Sequence, residues 1–136
     1  MSGIEARIRE LRADTSVHYN CAQSLVIAFG ERAGLDAGQA GAISANFGSG
    51  MKAGMTCGAI TGGLMALGLF GVEDSASVGE FYRRMREHHE GMTDCRDLLA
   101  KSAAAGIPRK THCDGIVLES ARIVEEMLQE RGKLRD

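Results

Sequence analysis

Cys57-Gly58-Ala59-Ile60-Thr61-Gly62-Gly63-Leu64-Met65-Ala66-Leu67-Gly68-Leu69-Phe70 runs on without one charged residue. A helix that is apolar nearly all round belongs in the middle of a protein, where every face meets another element. The stretch therefore predicts a buried central helix over about 57–70. The wider uncharged segment, Ala53 to Val72, invites comparison with a membrane span. Its six glycines, Thr56, Thr61 and Cys57 argue against one, since a bilayer asks for roughly 20 predominantly apolar residues. No stable membrane insertion is expected.

Outward from this helix, apolar residues recur at three- and four-residue steps. Ala22, Leu25, Val26, Phe29 and Ala33 mark a helix between Asn20 and Gly34. A shorter one is expected from about Asp36 to Phe47. Val78, Phe81, Tyr82, Met85, His89 and Met92 trace the next stripe, and Leu98 and Leu99 a short helix. Ile116, Val117, Ala121, Val124 and Leu128 mark the last long one. Gly34, Gly71 and Gly106-Ile107-Pro108 read as helix stops. With no strand pattern, repeat or linker, residues 1–136 form one all-α domain: a compact bundle of about six helices.

Gly50, Gly54, Gly58 and Gly62 recur every four residues, and Ala66 extends the row. On a helix they would make a strip along which another backbone approaches closely. Each glycine costs about 1 kcal/mol relative to Ala, so contact must return it. The contact is either packing inside the monomer or a homodimer seam. The first part, Gly48 to Gly54, also reads as a loop that brings backbone close to a bound group.

A length of 136 residues suits one domain with a real core. A net charge of -2, a pI near 6.1 and the lack of any basic run exclude a nucleic-acid footprint. Met1 to Asp14 is charged throughout and lacks the apolar core of a secretory signal. The expected compartment is the cytoplasm, where cysteines serve metal binding or redox work rather than structural disulfides.

Cys21, Cys57, Cys95 and Cys113 stand 36, 38 and 18 positions apart, with no Cys-x-x-Cys pair. Zinc-ribbon, thioredoxin and c-type haem signatures are therefore absent. Their helix positions say more. Asn20, Thr56 and Asp94 precede the first three as cap residues, and Thr111 stands two before Cys113. A first-turn thiol meets the positive end of the helix dipole and unpaired N–H groups, which favour the thiolate. Four helix starts turned inward would place four thiolates in one pocket. The plainer alternative is four small buried apolar residues.

Asn20-Cys21-Ala22-Gln23-Ser24, Phe47-Gly48-Ser49-Gly50-Met51 and Cys57 to Met65, with Cys95-Arg96-Asp97-Leu98-Leu99 and Cys113, resemble the C_GCAxxG_C_C family of redox-active proteins. The resemblance covers roughly Asp14 to Glu130. It implies that Cys21, Cys57, Cys95 and Cys113 are the working residues, as redox groups or metal ligands. It also implies that Gly58 and Gly62 are the glycines beside a bound group. The family looks related to a domain of split-Soret cytochromes, which hold haem and an iron–sulfur centre. This chain has no Cys-x-x-Cys-His, so covalent haem is not implied.

The expected function is redox work by an oxidoreductase or electron-transfer protein, with its redox partner left open. One form makes all four cysteines ligands of an iron–sulfur cluster. The other makes two reversible dithiol pairs, with Cys57 as attacking thiol and Cys21 as a resolving partner. A non-redox Cys₄ zinc module ranks behind both, because zinc ligands usually come in close local pairs. An interaction bundle with incidental cysteines is the remaining class. His18 and His112 lie near cysteines and His89 on an apolar stripe, none with an assigned role; Arg83-Arg84-Met85-Arg86 reads as a solvated face.

Overall fold

The structure is a computed structural model and describes residues 2–134. Among them are seven α-helices: α1 (Gly3–Ala13), α2 (Cys21–Arg32), α3 (Ala37–Ser44), α4 (Gly58–Leu69), α5 (Ser75–Glu87), α6 (Cys95–Ala104) and α7 (Arg109–Glu130). The expected all-α bundle is present with one helix more than the spacing had marked. That helix is α1, whose Ile4, Ile8 and Leu11 are buried on one face while charges occupy the other.

Local chemistry explains most of the boundaries. Ser2, Asn20, Asp36 and Asp74 each accept a backbone N–H from their helix's first turn. Asn20 and Gln23 complete a reciprocal capping box. The expected stripe through Met92 overshoots, because α5 ends at Glu87 and Met92 packs onto the core from the following turn.

The central helix is α4, which packs most closely against α2 and also against α7. Its buried side carries Gly58, Ala59, Ile60, Gly62, Gly63, Ala66 and Leu67. Thr61, Leu64, Met65 and Leu69 are only half-buried, so the helix is apolar all round without being covered all round. The glycine row divides in two. A Cβ on Gly62 would stand 2.9 Å from Ala22 Cα, and one on Gly58 3.2 Å from Ala22 N. This half is a seam between α4 and α2 inside the monomer.

The other half is not helical in the ordinary sense. Ser49, Gly50, Met51, Lys52 and Gly54 all have positive φ, forming a left-handed turn before α4. Gly50 is required there twice over. Its φ is +62°, and a Cβ would meet the Met55 backbone at 2.5 Å and Cys95 Cβ at 2.8 Å.

Phe29, Leu25, Phe81, Leu67, Val117 and Leu128 are fully buried between α2, α4, α5 and α7. Side chains of this size contribute about 1.5–3 kcal/mol each when removed from water. Polar groups in this interior are paired: Ser120 Oγ donates to the Ala59 carbonyl at 2.7 Å, locking α7 to α4. No helix among the described residues is long and apolar enough to cross a membrane.

Candidate functional site: a four-cysteine cavity

The four cysteines come from four helices and line one cavity of about 380 Å³. Cys21 is the first residue of α2, directly behind the capping box, and is 9% exposed. Cys57 occupies the cap position of α4 itself, one residue earlier than expected, and is 5% exposed. Cys95 opens α6, and Asp94 before it makes no side-chain cap bond. Cys113 departs most from expectation. Helix α7 begins at Arg109, so Cys113 sits in the second turn, beyond the free N–H groups at the helix start.

Backbone contacts tie two of the four together. Thr56 and Asp94 form an isolated antiparallel bridge. Through it the Cys57 N–H donates to the Thr93 carbonyl at 2.8 Å and the Cys95 N–H to the Met55 carbonyl at 2.6 Å. These bonds tie the starts of α4 and α6 together. On the other side of the cavity, Cys21 and Cys113 lie near enough for each thiol to shift the ionisation of the other. All four are free thiols.

The pairs differ in electrostatics. The neighbouring Cys21 thiol brings Cys113 down to about 6, against the opposing effect of burial and with help from Arg12 and Arg109. The same coupling, together with burial, holds Cys21 well above the ordinary thiol range. The coupling between the two thus favours negative charge on Cys113, beside the cations, over Cys21. Burial raises Cys57 to about 11, although the N–H groups of Ala59 and Ile60 favour its thiolate. Cys95 is raised as well, again by burial first. Burial thus outweighs the helix start at Cys57, and Cys113 is the cysteine whose surroundings favour the thiolate.

The cations that settle this were not singled out by the sequence. Arg12 ends α1 with its side chain only 8% exposed; its Nε donates to Asp114 Oδ1 at 2.7 Å. Its Nη1 donates to the Tyr19 carbonyl at 2.7 Å, which holds the guanidinium beside the cavity. Arg109 favours the Cys113 thiolate and donates from Nη2 to Ser49 Oγ at 3.1 Å. No local motif joins these arginines to the cysteines; only the fold does.

Of the remaining candidates, Gly58, His18 and His112 line the cavity, and burial lowers the basicity of His112. Gly62 stands one turn deeper, against Ala22. His89 lies away from the cysteines, with Nε2 3.0 Å from Glu119 Oε2. Among the described residues, no three His, Cys, Asp or Glu side chains come together closely enough to hold one metal ion.

Searches of curated proteins and of solved structures found no match. A family model described as "Putative redox-active protein (C_GCAxxG_C_C)" matches residues 19–127. That span covers most of the chain and contains all four cavity cysteines, so the chain belongs to the C_GCAxxG_C_C family.

Proposed function

We propose that this chain is a thiol–disulfide redox protein in which Cys113 attacks and Cys21 resolves. The observation that carries the reading is that Cys21 and Cys113 line one cavity with Arg12 and Arg109, where the Cys113 thiol is lowered and the Cys21 thiol raised by their mutual coupling. The Cys113 thiolate attacks one sulfur of a disulfide substrate, and that S–S bond breaks as the other sulfur leaves as a thiolate. Cys21 gives up its proton to the departing thiolate and attacks Cys113 in the mixed disulfide, releasing the second sulfur as a thiolate that takes its proton from water. Two electrons pass from the cysteine pair to the substrate, and an external dithiol restores the pair. Cys57 and Cys95, tied by their backbone bridge, form a second and less reactive pair in the same cavity.

A second reading has its own support. All four thiols line one cavity, with Arg12 and Arg109 there to offset negative charge. Four thiols are the usual donor set of an iron–sulfur cluster. A cluster holds its thiolates at separate corners, which suits four sulfurs that do not converge on one point. A single zinc ion needs all its sulfurs at about 2.3 Å, and the side chains as they stand do not fit that. Cys21, Cys57, Cys95 and Cys113 would be the cluster's ligands. A bound cluster would supply one-electron transfer with no bond change at the cysteines.

The test is protein purified without oxygen, examined by visible absorption with iron, sulfide and free-thiol counts. Colourless protein with four titratable thiols, which yields a Cys21–Cys113 disulfide on mild oxidation, supports the dithiol reading. Visible bands with stoichiometric iron and sulfide overturn it in favour of the cluster.

A further inference from the structure

The cavity has more structure than a dithiol alone requires. Its volume, about 380 Å³, falls within the range of small-molecule sites. Leu98, Leu99 and Ile116 give it an apolar wall. The charges that line it are unbalanced: Arg12, Arg109 and Lys110 face a single acid, Asp14. This is a local excess in a chain whose net charge is -2. Asp14 is already engaged, accepting the Ser16 and Val17 N–H groups and the Ser16 hydroxyl.

The cations are not equally free. Arg12 is committed to Asp114 and the Tyr19 carbonyl, and Lys110 bonds the Arg12 carbonyl and Asp114. Arg109 is different. Among the described residues it pairs with no carboxylate; it is exposed, bonds Ser49 and lines the cavity with Cys113. A guanidinium presents donors in a planar fork suited to a carboxylate. Here it does so beside the attacking sulfur, with an apolar wall nearby for an aliphatic stem.

We propose that the cavity selects small disulfides bearing carboxylates, with Arg109 as the residue that receives the carboxylate and Lys110 in support. The proposal rests on the thiol–disulfide reading and names the substrate class of that site. Electrons flow as in that reading: the cysteine pair is oxidised to a disulfide and the small disulfide leaves as two thiols.

The experiment uses the full-length reduced protein in single-turnover reactions with four probes. These are oxidised glutathione (anionic), 2-hydroxyethyl disulfide (neutral), cystamine (cationic) and insulin as a protein disulfide. Each rate is divided by that probe's rate with a free small thiolate, which removes differences in leaving group. The expected order is oxidised glutathione, then the neutral probe, then cystamine, with at least a tenfold span that shrinks as salt is raised. Arg109→Gln should narrow the anionic-to-cationic ratio at least threefold. The ratio is the readout because Arg109 also acts on Cys113. Equal normalised rates, a preference for cystamine, or faster reduction of insulin overturns the selectivity while leaving thiol chemistry in place. Failure to reduce any probe, the neutral one included, overturns the thiol reading along with it.

Discussion

The two sides of the cavity hold the same residue type at comparable depth and give it opposite chemistry. Cys21 and Cys113 influence each other beside two guanidinium groups, and one of them is brought down to about 6. Cys57 and Cys95 are held by backbone through the Thr56–Asp94 bridge, and burial raises both. The position at a helix start, where three of the four stand, does not decide which sulfur is reactive. The one whose surroundings favour the thiolate is Cys113, the cysteine that stands in a second turn. A neighbouring thiol and a nearby fixed cation outweigh a dipole whose influence fades within one turn.

Substitution should break this comparison most sharply. Cys113→Ser is expected to lower the rate of disulfide reduction by roughly 100-fold or more, as loss of a nucleophile does. Cys57→Ser should retain the first chemical step, seen as mixed-disulfide formation by mass spectrometry. Equal losses in the two variants would mean that the pairs work as one unit.

Next in size is the dependence on pH. With Cys113 at about 6, its thiolate is roughly 90% formed at pH 7 and roughly 10% at pH 5. Its alkylation by iodoacetamide, followed by peptide mapping, should therefore slow about tenfold between those values. Cys57, raised to about 11, should stay nearly unlabelled across the same range while the protein is folded.

The source of the asymmetry can be tested directly. Cys21→Ala removes the neighbouring thiol that contributes most to lowering Cys113, so the alkylation midpoint should rise toward the ordinary 9.0. Cys95→Ser should leave that midpoint almost unmoved. A midpoint unchanged in Cys21→Ala would assign the effect to Arg12 and Arg109 instead.

The mildest test concerns the frame that keeps both pairs in one cavity. Gly62 lies where α4, which carries Cys57 at its cap, crosses α2, which begins with Cys21. Gly62→Ala sets a methyl 2.9 Å from Ala22 Cα, and overpacking of this kind costs about 1–3 kcal/mol. The urea midpoint should fall accordingly. Cys113 should keep its reactivity, because its partner and its arginines are untouched.

The sequence shows some of these features and hides others. The central helix was legible because no charge interrupts 57–70, and α2 and α7 because their apolar steps are regular. Helix α1 carries the same signal in Ile4, Ile8 and Leu11, but Glu and Arg crowd around it and the segment reads first as a charged terminus. The start of α7 was misplaced because Thr111 is a good cap residue, whereas the chain enters that helix through Pro108. That the cysteines share one pocket was readable from their places near helix starts. Which of them couple was not: Cys21 and Cys113 come from two helices far apart in the chain, and Arg12 arrives from a third. Such proximity leaves no periodic trace, since each side chain is compatible with its own helix whatever stands opposite.

A disulfide between Cys21 and Cys113 would also have a topological consequence. The two residues are 92 positions apart, so a bond between them would turn most of the chain into a closed ring. In the chain-entropy picture, a crosslink of that span restricts the unfolded ensemble by roughly 4–5 kcal/mol. Oxidation would then act as a clasp as well as a chemical event: the protein that has given up its electrons should melt at a higher temperature and resist proteolysis longer than the one that still holds them.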